Sequence, residues 1–299
     1  MTDTITFERP RRVTAPRPPM LELARVEARR MLRHPAPWAG LLLSAWMVQG
    51  ATEQDWTSAQ YEGFLAAVGP LLLGLSLATV TTFGRGRSPV AEDAPVTEER
   101  RSLARLLAGL PLVGLVALVV VAAAVYLRMS GGIRLGDEPG MTLHAQYTLP
   151  ELLQPVLLGC FAVALGAAVV RVVRSALAAH VLLFVYWFLV DTYWLFNGAV
   201  LQALTPLQVQ PNVVVAGPPT TDPTTFPSDW LLSAPGEYQD FWGRVVVSPS
   251  LAAWHDVYVV ALTVLCVAVA VPGRWRRRLL VGGAVVAVVA VAMQLVVTP

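Results

Sequence analysis

Apolar stretches of membrane-spanning length recur along this chain, and short polar or Pro/Gly-bearing breaks separate them. A span needs about 20 apolar residues to cross about 30 Å of hydrocarbon. By that measure spans are predicted at Pro37–Ala51, Glu62–Phe83, Leu103–Leu127, Pro150–Val170, Ser175–Phe196, Ser250–Val271 and Leu279–Val297. These runs are apolar all round, so periodicity selects no face in them. The segment 20–36 differs. In it Leu21, Ala24, Ala28 and Met31 recur at helical spacing, while Glu22, Arg25, Arg29 and Arg33 fall on another face. That pattern predicts an amphipathic helix lying in the membrane interface. Residues 1–19 are polar and rich in Arg and Pro, and they lack the apolar core of a signal peptide. They predict a disordered cytoplasmic tail. The expected fold class is an all-α integral membrane protein: an interfacial helix, then a polytopic domain over 37–299 with about seven transmembrane helices, six being the alternative.

Composition agrees with this reading and removes several chemistries. Of the 299 residues, 55% are hydrophobic and 14% charged, against about 25% charged in an average soluble domain. One soluble core of this length cannot hide so much apolar surface. All 22 basic residues are Arg, and the chain has no Lys. A Walker A loop needs its Lys, so this chain is not itself a P-loop ATPase. Schiff-base catalysis and pyridoxal phosphate attachment fall for the same reason. Cys160 and Cys266 sit in separate apolar runs, and His34, His144, His180 and His255 are scattered. No Cys-x-x-Cys, H-E-x-x-H, G-x-S-x-G or Gly-rich dinucleotide loop occurs. No catalytic residue, metal site, cofactor on this chain or nucleic-acid partner is therefore expected.

Arginine placement gives a direction. With the N-terminus inside, nineteen arginines fall on the cytoplasmic side, in the N-terminal segment, the second inner loop, Arg171 with Arg174, and Arg274 to Arg278. Only Arg128, Arg134 and Arg244 fall outside, as the positive-inside rule requires. Seven spans then place the C-terminus outside. Two outer segments are long. Residues 128–149 carry Gly131-Gly132 and Pro139-Gly140, which signal turns. Residues 197–249 carry eight prolines, but also Phe226, Trp230, Phe241 and Trp242, too aromatic for plain disorder. Val200 to Leu207 is a candidate short helix there.

The inner loop 84–105 concentrates charge in a chain otherwise poor in it: FGRGRSPVAEDAPVTEERRSLARLLAGLP, from Phe83 to Pro111. Thr97 suits an N-cap, and Glu98 and Glu99 fill a first turn where acids favour the helix dipole. A short helix leading into the third span is predicted.

At this point the sequence resembles a family. An amphipathic helix ending in Arg33-His34-Pro35 precedes the first span. The inner loop carries an acidic pair, then Pro-Val-Thr, then Arg-Arg, then Leu-Ala-x-Leu-Leu-Ala, and Ala253 to Leu262 reads AWHDVYVVAL. These features resemble permease subunits of ABC-2 type transporters, particularly actinobacterial ones. The resemblance implies a chain in the bacterial cell membrane that pairs with a second permease copy or a related permease. It also implies a separate ABC ATPase subunit that holds the ATP and magnesium. It places the ATPase contact, through a coupling helix, at Glu92, Asp93, Pro95, Val96, Thr97, Glu98, Glu99, Arg100 and Arg101. The family usually has six spans and an inward C-terminus, whereas here an apolar run follows Arg278.

Ionisable groups inside apolar runs are functional candidates. Asp191 lies 17 residues beyond Arg174, about 25 Å along a helix, among Tyr186, Trp187, Tyr193 and Trp194. His255 and Asp256 open the next span at the same level, placed to pair with Asp191. Asp191 reads either as an interfacial aspartate within an aromatic belt or, with His255 and Asp256, as part of a candidate substrate path. Glu151 follows Pro150 at a helix start and reads as a dipole cap, and His180 reads as structural. Three functions fit these features: an exporter permease, a non-transporting anchor or assembly protein that docks a cytoplasmic partner, and a membrane-embedded enzyme using Asp191, His255 and Asp256.

Overall fold

The computed structural model describes residues 20–53, 66–85, 96–135, 142–173, 175–192, 199–207, 212–216, 231–232 and 243–297. The predicted amphipathic segment forms helix α1, Met20–Leu32, which buries Ala24, Glu27 and Met31. The buried stripe contains an acid where the sequence pattern expected only apolar residues, and Leu21 is 61% exposed. The chain turns at His34, whose Nδ1 accepts the Ala36 N–H at 3.2 Å. Helix α2, Pro35–Glu53, follows at once. Trp38 Nε1 donates to the Leu32 carbonyl at 2.6 Å across this turn.

Helix α3 is Gly69–Gly84, and α4 is Glu98–Leu107. A two-residue break at Ala108-Gly109 leads into α5, Leu110–Ser130. Helix α6 is Leu149–Val172, α7 is Ala176–Asp191 and α8 is the short Ala199–Leu204. Helices α9, Pro249–Ala270, and α10, Arg276–Val297, close the chain. Among the described residues, four helical stretches are long and apolar enough to cross a membrane: 98–130 taken through the break, α6, α9 and α10. Helices α3 and α7 are apolar but shorter, at 16 residues each. The run predicted from Glu62 enters described helix only near Gly69, and the run predicted to Phe196 ends at Asp191.

Helices α3 and α6 form the centre. Leu71, Leu72 and Leu75 from α3 pack with Leu158 and Phe161 from α6, and Leu112, Val116, Trp187 and Val259 close around them. Small residues let the backbones touch. A Cβ on Gly40 would stand 2.4 Å from the Pro70 carbonyl oxygen, and one on Gly166 would stand 2.6 Å from that of Ser76. Glycine is therefore required where α2 crosses α3 and where α3 crosses α6. The Glu151 cap is real: the Thr148 N–H donates to its carboxylate at 2.7 Å and the Thr148 hydroxyl at 2.6 Å.

The segments predicted as outer loops add short strands, which the sequence reading did not foresee, beside the helical bundle. Strands β1, Ile133–Leu135, and β2, Thr142–Ala145, pair antiparallel. A three-stranded sheet takes the order β3-β5-β4, from Asn212–Ala216, Gly243–Val247 and Leu231–Leu232. Val213 faces Val246 across the β3–β5 ladder. Valine runs are β-branched and suit a pleated strand. The expected short helix does form, as α8.

Candidate functional site

At the arginine-rich end of the bundle, α4 lies against α1 and touches two other parts of the chain. Arg171, in the last turn of α6, donates to the Glu98 carboxylate. Glu99 lies over the turn between α9 and α10, where a Cβ on Gly273 would stand 2.8 Å from its Oε1. Arg105 Cζ sits 5.8 Å from the centre of the Phe83 ring at the end of α3, and its Nε is buried with no hydrogen-bond partner among the described residues. Ser102 and Ala104 face inward, while Thr97, Glu98, Glu99 and Arg100 are exposed. The hydrogen bond from Arg171 holds the Glu98 carboxyl below the usual range against the opposing effect of desolvation, and the charges of Arg171, Arg101 and Arg105 add to the lowering.

Of the residues assigned to this contact, Glu92, Asp93 and Pro95 lie outside the described residues. Val96 and Thr97 precede α4. Thr97 has the extended backbone of an N-cap, with φ −60° and ψ 149°, but its side chain makes no capping hydrogen bond. Glu98, Glu99, Arg100 and Arg101 form the first turn as expected.

The same end holds a cluster that the sequence did not announce. His34 Nε2 lies 3.2 Å from the Thr81 hydroxyl, and His180 Nε2 lies 3.5 Å from that same oxygen. His34 accepts from Ala36 at Nδ1, so its proton sits on Nε2, which donates to Thr81. Burial pushes the His34 pKa below its ordinary value, and His180 and Arg85 push it further.

At the far end the three substrate-path candidates separate. Asp191 packs on the first residue of α3, where a Cβ on Gly69 would stand 2.6 Å from Asp191 Oδ1. His255 is fully buried, with Nδ1 2.9 Å from Gln294 Oε1 and Nε2 2.9 Å from the Pro206 carbonyl. A neutral ring donates only once. Both contacts are satisfied when the Gln294 amide is reversed, so that its nitrogen donates to Nδ1. Asp256, about 100° further round α9, faces instead a groove of about 400 Å³ between α6, α9 and α10. The expected pairing with Asp191 does not form. Among the described residues, no hydrogen bond joins Asp191 to His255 or Asp256, and Oδ1 of each aspartate is buried without a partner.

Gln294 and Tyr258 belong to the far-end arrangement and were missed. Tyr258 donates to the Leu204 carbonyl at 2.8 Å. The side chains of His255, Tyr258 and Gln294 thus gather around the end of α8. Gln294 carries a readable signal, as the one amide in an otherwise apolar run after Arg278. Compared with protein-family models and with curated proteins, the sequence matches none. What stands is a largely helical chain whose long apolar helices are compatible with a membrane.

Proposed function

We propose that this chain is the permease subunit of an ATP-driven exporter of the ABC-2 type, in a bacterial cell membrane. In this reading seven spans leave the N-terminus cytoplasmic and the C-terminus outside, and a separate ATPase docks at α4. The observation that carries it is the placement of α4. An exposed mixed-charge turn is anchored to α6 through Glu98 and Arg171, and it lies on the α9–α10 turn through Glu99 and Gly273. A partner that pushes on α4 would therefore bear on α6 and on the α9–α10 turn together. ATP binding and hydrolysis would favour different positions of α4, and the bundle would convert that difference into access from one side or the other. An apolar groove with one buried carboxyl suits amphipathic cargo better than small ions.

The test reverses charge at the contact. Arg100→Glu with Arg101→Glu is expected to lower ATPase co-purification in mild detergent while membrane insertion stays intact, because the other arginines hold the topology. Normal complex yield and full transport by the double variant would leave α4 as a topological signal only. Co-purification of a partner that hydrolyses no ATP would favour the anchor reading.

A further inference from the structure

Four arginines stand together where α9 turns into α10: Arg274, Arg276, Arg277 and Arg278, all exposed. Trp275 among them is half-exposed and carries two guanidinium groups. Cζ of Arg274 lies 5.2 Å from its ring centre and Cζ of Arg278 lies 4.9 Å. Stacking on one indole holds two like charges close together. Among the described residues no carboxylate forms a salt bridge with either, although Glu99 lies beside Gly273 in the same turn. Positive-inside bias explains arginines at this end. It does not explain a stacked pair at the mouth of a groove.

Arg278 is also part of the wall of the groove between α6, α9 and α10. From there the lining is apolar, with Leu153 and Leu157 on one side, Val260 and Val264 on another and Val286 on the third. Gly282 opens the floor, since a Cβ placed there meets nothing within 4 Å. Arg278 to Val286 is about 12 Å along α10, most of one leaflet about 15 Å deep. Asp256 marks the opposite end. The groove thus offers cationic forks at the membrane surface and an apolar channel running inward from them.

We propose that this groove binds one anionic phospholipid from the arginine-rich side of the membrane. Its phosphate rests on Arg274 and Arg278, and one acyl chain lies along Gly282. Guanidinium forks match phosphate oxygens, and basic sites between helices suit anionic headgroups. The proposal rests on the membrane placement above but not on transport. A chain that fails to fractionate with membranes refutes that placement, whereas the following test reads the site itself.

Full-length protein in mild detergent is mixed with phosphatidylglycerol or phosphatidylcholine, and bound lipid is counted by mass spectrometry of the intact protein. One phosphatidylglycerol should be retained, about tenfold in preference to phosphatidylcholine. Arg274→Gln with Arg278→Gln should cut that retention severalfold, and so should Gly282→Leu, which fills the groove. Gly114→Leu on α5, also in open space, should leave it unchanged. Equal retention of the two lipids, unchanged retention in Gly282→Leu, or displacement by excess inorganic phosphate would each overturn the proposal, the last by showing a free-anion site.

Discussion

The indole Nε1 of Trp187 in α7 donates to the Ser76 hydroxyl in α3 at 2.9 Å. That hydroxyl also lies 3.0 Å from the Ala162 carbonyl of α6 and 3.1 Å from the Leu72 carbonyl. One buried serine therefore joins three helices at the centre of the core.

Ser76→Ala leaves the Trp187 N–H buried and unpaired, which costs about 1–3 kcal/mol. Thermal unfolding in detergent should show the loss. Trp187→Phe removes the donor, so adding Ser76→Ala to it should cost less than Ser76→Ala alone, by about 0.6–1.7 kcal/mol. Strict additivity of the two substitutions would show that the bond contributes nothing.

Gly40 and Gly114 should respond in opposite directions. Gly40→Ala drives a methyl into the Pro70 carbonyl, 2.4 Å away, and backbone cannot give way as a side chain can. Overpacking of this kind costs about 1–3 kcal/mol. Gly114 has open space around it, so Gly114→Ala should be neutral or gain up to about 1 kcal/mol from helix propensity. Unfolding midpoints for the two variants check the contrast.

His34 makes stability depend on pH. Its pKa in the fold is below the ordinary 6.5, because burial, His180 and Arg85 all disfavour the charged ring. The unfolded chain then binds more protons below 6.5. The contribution is complete above the unfolded value and is lost as pH falls from 6.5 towards the folded pKa. Thr81 and the Ala36 N–H face the same ring. Unfolding midpoints compared between about pH 8 and pH 5 should fall more steeply in the wild type than in His34→Gln. Equal slopes would remove His34 as the cause.

What was legible in the sequence follows from one-dimensional signals. Apolar length located α5, α6, α9 and α10, and the Thr97-Glu98-Glu99 pattern located the start of α4. Glu151 was readable as a cap because its place after Pro150 at a helix start is a local signal, and the partner the structure adds, Thr148, is only three residues away. Ser76, Thr81 and Gly273 were not readable, because each has its role through a residue on another helix. The Asp191 pairing failed for a related reason. Depth in the membrane says how far along a helix a residue lies, but not which neighbour it faces. The strands β3 and β5 were missed because valine runs beside prolines resemble broken apolar helix.

The end of α8 is held by side chains, which gives the last prediction. Final carbonyls of a helix have no partner within it. Here Leu204, the last residue of α8, accepts from Tyr258 at 2.8 Å, and just beyond it the Pro206 carbonyl lies 2.9 Å from His255. Leu207 is fully buried beside them, so water is a poor substitute and local opening should be rare. Tyr258→Phe removes one donor at nearly constant volume, and a hydrogen bond is worth about 1 kcal/mol, or roughly fivefold in an opening equilibrium. Amide exchange over 199–207 should quicken by that factor, while α3 and α6 exchange as before. Gln294→Leu should act more strongly, because it strips a partner from the buried His255 ring. If exchange quickens equally across α9 and α10, the side chains hold the whole helix pair and α8 is not a separately clamped element.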